Sequence, residues 1–291
     1  MARIAELLTN GITISFEFFP PKDEAEKTRL EVAIRELEPL RPSFVSVTYR
    51  GGSSSRQRTT EVVRGLVQER RITAMPHLTC VAHARDELVE ILTDFERAGI
   101  ENVLALGGDP LPDGEGSRDL LHAIELVQLA SSVGVACIGV AAHPAGHPSS
   151  PDLASDRRYL AAKLDLADFA ITQFFFQVDD YLGLVDDLGR LGIDKPIVPG
   201  IMPITNLKQV QRMAELSGAE VPAGVVRRLE AREGRPEDVR REGIALATRL
   251  CRDLLDQGAP GLHFYTLNNS TATREIHEQL GLRVARANPH A

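Results

Sequence analysis

The sequence predicts a closed (β/α)8 (TIM) barrel forming a single domain, and three observations carry that prediction. Strand-like and helix-like segments alternate along nearly the whole chain, and eight such units fit into its 291 residues. The segments between strands have helix length, which implies parallel strands joined by right-handed crossovers. The first strand is followed by Pro20-Pro21-Lys22-Asp23 rather than a glycine-rich turn, which disfavours the runner-up, an open doubly wound sheet.

The first strand, 12–19, is a β-prone run with one carboxylate, Glu17, among Phe16, Phe18 and Phe19. Burying that carboxylate as a charge is costly. Alternation turns Glu17 away from Phe16 and Phe18. In an open sheet it reads as an ordinary edge glutamate. A closed barrel has no edge, so Glu17 points either into the barrel or towards the helices. A helix over 23–37 follows, with Leu30, Ile34 and Leu37 at helical spacing. The second strand is 44–49, then Gly51-Gly52 and a helix over 57–70. Strand three is 74–81 and its helix 86–98. Strand four, 102–106, runs into Gly107-Gly108-Asp109 and a Gly/Pro-rich loop, and a helix spans 119–133.

The second half repeats the scheme. Strand five is 136–142, followed by a proline-rich loop over 143–156 and a helix ending near 166. Strand six is 169–176 with a helix over 179–191, and strand seven is 196–201. Helical segments cover 206–216 and part of 227–257, the latter broken near Gly234-Arg235-Pro236. Strand eight is 261–267 and the last helix 271–280. No linker divides the chain, so residues 1–291 read as one domain, with the barrel over 12–282 and no regulatory domain.

Composition narrows the function. Apolar residues make up 43% and charged residues 25%, as in a soluble globular protein. A net charge of −8 with mixed signs argues against a nucleic-acid or anionic-membrane partner. Cys80, Cys137 and Cys251 lie far apart, without metal-type spacing, and read as reduced core thiols in a cytoplasmic protein. There is no signal-peptide pattern and no membrane-length apolar run.

In a barrel the chemistry gathers at the carboxyl ends of the strands. Those ends carry Glu17, Thr48 and Tyr49, His77 and Thr79, Asp109, His143 and His147, Thr172 and Gln173, then His263, Tyr265 and Asn268. Converging on one mouth, they favour an enzyme over a structural protein. A metal-assisted hydrolase or lyase is the alternative, built on His77, Asp109, His143 and His147. The closely spaced strand-one histidines such sites use are absent, so no metal is expected. The strands hold no lysine for a Schiff-base aldolase.

Several segments together resemble one family. Ser15-Phe16-Glu17-Phe18-Phe19-Pro20-Pro21, Phe44-Val45-Ser46-Val47-Thr48-Tyr49, Pro76-His77-Leu78-Thr79-Cys80 and Ile171-Thr172-Gln173-Phe174-Phe175-Phe176 are similar to methylenetetrahydrofolate reductases. So are Pro199-Gly200-Ile201-Met202-Pro203 and His263-Phe264-Tyr265-Thr266-Leu267-Asn268. The resemblance implies a barrel that reduces 5,10-methylenetetrahydrofolate to 5-methyltetrahydrofolate with NADH or NADPH, FAD normally relaying the hydride. It implies Glu17 as general acid, Asp109 as the carboxylate stabilising the iminium, and Gln173 as the pterin-reading amide. It places Thr48, His77, Gly108, Asp109, His143, His147, Asp156 and Lys163 at flavin contacts, and Thr48 and Leu207 beside substrate.

The chain departs from the family pattern at the flavin. Gly107 stands where the family has an arginine, Ala162 where it has a second basic residue, and Tyr159 where it has an asparagine. His143 replaces a tyrosine, and Leu207 a phenylalanine that stacks on nicotinamide or folate. Two alternatives stay open: compensation by Lys163, His143 or another arginine, or loss of FAD with NADH passing its hydride directly. A non-catalytic folate- or flavin-binding relic is a third reading, opposed by the retained Glu17, Asp109 and Gln173. Monomer and homo-oligomer are both compatible with the sequence.

Overall fold

A computed structural model describes residues 2–49, 53–81, 83–108 and 119–282, with no side-chain account for 53–55. Asp109 lies outside the described residues. Parallel strands form the wall: β1 (Thr13–Phe18), β2 (Phe44–Val47), β3 (Ala74–Thr79), β4 (Asn102–Leu106), β5 (Cys137–Ala142) and β6 (Phe169–Thr172), then the short β7 (Ile197–Val198), β8 (Gly200–Ile201) and finally β9 (Gly261–Tyr265). Neighbours run β7-β6-β5-β4-β3-β2-β1-β9-β8. β7 and β8 are one barrel strand divided at Pro199, which has no N–H to give to a ladder. Its first half pairs with β6 and its second with β9, and this closes the barrel.

Helices cover the wall. They are α2 (Glu24–Leu37), α3 (Ser53–Arg64, extended by a π turn to Glu69), α4 (Arg85–Arg97), α5 (Ala123–Ser132), α6 (Leu153–Leu164), α7 (Val178–Arg190), α10 (Pro236–Asp256) and α11 (Thr271–Leu280). Asp23 and Asp152 cap α2 and α6 by accepting from the Glu26 and Ser155 N–H groups at 2.8 and 2.7 Å. The helices bury their apolar stripes on the outer face of the sheet, with Leu30, Ile34, Leu88, Leu92, Leu126 and Leu254 among the residues packed there.

One helix, and a satellite core built by helical segments that the sequence does predict, go beyond the sequence reading. A six-residue helix, α1 (Ile4–Thr9), precedes β1 and plugs the amino end of the barrel. Its Ile4 and Leu8 join Phe44, Met75, Leu104 and Phe169 in an interior apolar cluster. Asn102 pins it, accepting from Ile4 N–H at 2.8 Å and donating to the Ala2 carbonyl at 3.1 Å. At the other end α8 (Leu207–Ser217) and α9 (Ala223–Glu230) form an excursion between β8 and α10. They build a small core of their own from Phe174, Met202, Ile204, Val210, Ala214 and Leu229.

Strand six is shorter than its apolar run predicts. Gln173 N–H still donates to the Ala142 carbonyl at 2.7 Å, but the chain then leaves the sheet. The three phenylalanines pack sideways, Phe174 against Phe176 and Tyr265, and Phe175 against Tyr181. All three cysteines are free and buried. Among the described residues no helix is long and apolar enough to cross a membrane.

Candidate active site

The barrel interior is layered, and the layers follow from the period of two along each strand. The apolar plug fills the amino end. Above it Ser15, Ser46 and His263 form a buried polar layer, and Glu17, Thr48, His77 and Tyr265 occupy the next one, towards the mouth. Register places Ser15 beside His263 and Glu17 beside Tyr265; Ser46 is paired with Glu17 along the strands but joins the lower group through its hydroxyl, 3.3 Å from His263 Nε2. Glu17 therefore points inward, and it is 7% exposed.

Around Glu17 Oε2 stand His77 Nε2 at 3.5 Å and His263 Nε2 at 3.8 Å. Neither is aligned as a hydrogen bond, and among the described residues none is made to this carboxyl group. Burial pushes the His77 pKa down to about 4, against the pull of Glu17, so the imidazole is neutral at physiological pH. Its Nε2 is buried without a partner, and so is Thr48 Oγ1. Buried polar atoms are nearly always satisfied, so these two atoms are open to a hydrogen-bond partner from water or a ligand. Tyr265 turns its hydroxyl away, donating to the Thr172 carbonyl at 2.5 Å, and burial raises its pKa well above the usual phenol value.

The opposite rim comes from the β5–α6 and β6–α7 connections. His143 and Gln173 line a cavity of about 320 Å³, walled by Pro144 and Phe174, with Asp180 and Glu220 at its edge. The Gln173 Oε1 accepts from Phe174 N–H at 3.0 Å, leaving the amide NH2 to donate to a ligand. The His143 and His147 rings meet edge to face at 4.7 Å. Burial, helped by His147 and Lys163, lowers the His143 pKa to about 4. Lys163 Nζ donates to the Ala141 carbonyl at 3.0 Å, and burial lowers its pKa too. Asp156 holds the loop, accepting from His147 N–H at 3.0 Å and the Ser150 hydroxyl at 2.9 Å. Leu207 opens α8 and packs into the satellite core under Phe174.

Two scaffold residues carry predictions. Arg157, which strand-end reasoning passed over, is 5% exposed and donates to the His143 and Pro144 carbonyls at 2.9 and 2.6 Å. Asp187 accepts from its Nε at 3.3 Å. Arg157→Met leaves both carbonyls short of a donor, so stability falls by about 2–4 kcal/mol in urea titration. Gly108 has φ +83°, and a Cβ there lies 2.9 Å from Thr79 Cβ and 3.1 Å from Val81 Cβ. Gly108→Ala therefore costs about 1–3 kcal/mol, read as a lower melting temperature. Among the described residues Gly107 has no such constraint, since the nearest of their atoms to its Cβ is Ala123 N at 3.9 Å.

Fold and site together define a (β/α)8-barrel enzyme, with an inward carboxyl group and unpartnered polar atoms at the carboxyl ends of its strands. Residues 2–281 match the family model described as Methylenetetrahydrofolate reductase. A 5,10-methylenetetrahydrofolate reductase of Pectobacterium carotovorum subsp. carotovorum is 38% identical over 277 residues, covering 95% of this chain and 92% of the relative. A protein of Oryza sativa subsp. japonica named probable methylenetetrahydrofolate reductase (NADH) is 35% identical over 298 residues, 96% of this chain and 50% of the relative. A Clostridium thermocellum structure described as binding two copies of 5-methyl-5,6,7,8-tetrahydrofolic acid superimposes with TM-score 0.65 at 13% identity, over 94% of this chain and 96% of that one. That likeness is one of fold. The chain belongs to the methylenetetrahydrofolate reductase family of oxidoreductases.

Proposed function

We propose that the protein reduces 5,10-methylenetetrahydrofolate to 5-methyltetrahydrofolate with a nicotinamide dinucleotide, with Glu17 as the general acid. The observation that carries this reading is the Glu17 carboxyl aimed into the mouth beside the unpartnered His77 Nε2 and Thr48 Oγ1. The bridging methylene carbon accepts a hydride only after its bond to one nitrogen breaks, giving an iminium. Protonating that nitrogen makes it a leaving group, and Glu17 supplies the proton. Hydride from the dihydronicotinamide then adds to the methylene carbon, leaving a methyl group and oxidised dinucleotide. A proton from solvent restores the acid. Asp109 stabilises the cationic iminium electrostatically, Gln173 reads the pterin with its amide NH2, and Thr48 and Leu207 border the substrate.

Family membership raises the question of FAD. At the ring end, the orphaned Thr48 and His77 atoms suit a flavin or a pterin equally. At the diphosphate end the described residues do not fit. His143 is neutral, Lys163 is bonded to a backbone carbonyl, and Asp156 and Arg157 are committed to the loop. Tyr159 and Ala162 offer no charge. Each missing charge-assisted hydrogen bond removes about 1.5–3 kcal/mol, so two lost contacts weaken the dinucleotide by about two to four orders of magnitude. We therefore read the hydride as passing directly from NADH or NADPH to the iminium within one ternary complex, in a cytoplasmic enzyme of one domain. The test is dihydronicotinamide oxidation with methylenetetrahydrofolate and no added flavin, with 5-methyltetrahydrofolate as the product. No folate-dependent oxidation would overturn the reading.

A further inference from the structure

The polar layer beneath Glu17 is unexplained by packing. His263 is fully buried and stacks on Phe44, with ring centroids 5.9 Å apart, where an apolar side chain would fill the barrel without cost to polar groups. Its tautomer is assigned from its hydrogen-bond partners. The Ser15 hydroxyl has one hydrogen and donates it to the Leu262 carbonyl at 3.2 Å. With that assignment Ser15 Oγ, 2.8 Å from His263 Nδ1, is an acceptor, and the ring proton is assigned to Nδ1. Nε2 carries a lone pair, which the Ser46 hydroxyl meets at 3.3 Å. That same edge of the ring faces Glu17 Oε2 at 3.8 Å.

Two further neighbours are committed elsewhere, while His77 Nε2, unpartnered at 3.5 Å from Oε2, belongs to the ligand-facing layer. Tyr265 gives its proton to Thr172, and the Thr266 hydroxyl donates to the Glu17 main-chain carbonyl at 2.6 Å. Glu17 thus stands on a support that contacts it without donating a proton to it.

We propose that His263, clamped by Ser15 and Ser46, is a positioning residue for Glu17: its ring holds the carboxyl at the mouth and leaves the carboxyl proton for the substrate nitrogen. The proposal deepens the reading of Glu17 as general acid and rests on it. A carboxyl released from this support swings within a wider space, and a misplacement of about 1 Å costs about 10²-fold in rate. The loss falls on kcat, because His263 lies below the ligand-facing layer.

The experiment compares Ser15→Ala, His263→Asn, His263→Phe and the double variant Ser15→Ala/His263→Phe in the complete chain. It reads kcat, KM for both substrates and the melting temperature, with Glu17→Gln alongside. His263→Phe is expected to lose about 10–100-fold in kcat with KM within a few-fold of wild type. His263→Asn regains part of it, because its amide N–H donates to Ser15 as Nδ1–H does. Ser15→Ala loses kcat on its own, and its effect disappears in the double variant. The proposal is overturned if Ser15→Ala and a folded His263→Phe keep wild-type kcat. It is equally overturned if His263→Asn is no better than His263→Phe while kcat, KM and melting temperature fall together. Should His263→Phe fail to fold, Ser15→Ala decides alone. Wild-type turnover in Glu17→Gln overturns the acid reading and the positioning role with it. Lost turnover there beside unaltered Ser15→Ala and His263→Phe overturns only the positioning role.

Discussion

Glu17→Gln is expected to abolish most turnover while leaving the fold and substrate binding in place. General acid catalysis is worth about 10²–10⁴-fold, and that is the loss predicted for kcat. The amide fills the same volume, and the site asks nothing else of the carboxyl oxygens, since no described residue hydrogen-bonds to them. The strand keeps its anchor, because Thr266 bonds to the main-chain carbonyl of residue 17 and not to the side chain. Binding therefore stays within a few-fold of wild type, and the whole effect appears between the bound complex and the transition state. Steady-state kinetics with a separate calorimetric measurement of folate binding checks this. A variant with near-normal turnover would remove Glu17 from the mechanism. Weakened binding with unchanged kcat would make Glu17 a substrate ligand and not an acid.

Much of this geometry was legible in the sequence, for a physical reason. Helix-length crossovers force parallel pairing, and parallel pairing sends each carboxyl end to one mouth, so Glu17, Thr48, His77 and Gln173 were placed by topology alone. What escaped depends on contacts that periodicity does not report. α1 has six residues, less than two turns, too short for a helical stripe to show. Phe174-Phe175-Phe176 has strand composition, yet a satellite core under α8 pulls it out of the sheet. Arg157 reads as a solvated helix charge until the loop carbonyls fold onto it. The polar layer had a signal that single-residue scanning missed. Ser15 with Glu17, Ser46 with Thr48 and His263 with Tyr265 each stand two apart, so each pair faces the barrel interior.

Purified protein is expected to be colourless and to turn over NADH at the same rate with and without added FAD. The expectation follows from charge. A flavin dinucleotide brings two phosphates to a rim where the described cations already serve the protein: Lys163 bonds to Ala141 and Arg157 to His143 and Pro144. Restoring the two basic positions tests the cause as well as the outcome. Gly107 has no positive φ and, among the described residues, 3.9 Å to the nearest atom, and Ala162 lies exposed on α6. Gly107→Arg/Ala162→Arg is therefore expected to fold normally and to raise FAD affinity by about two to four orders of magnitude, read by equilibrium dialysis. Direct transfer also predicts initial-rate patterns that intersect, since both substrates must be bound at once. A flavin relay gives parallel lines, because the dinucleotide leaves before folate reacts. A yellow wild-type protein carrying one FAD per chain after gel filtration, or parallel lines, would return the flavin to the mechanism.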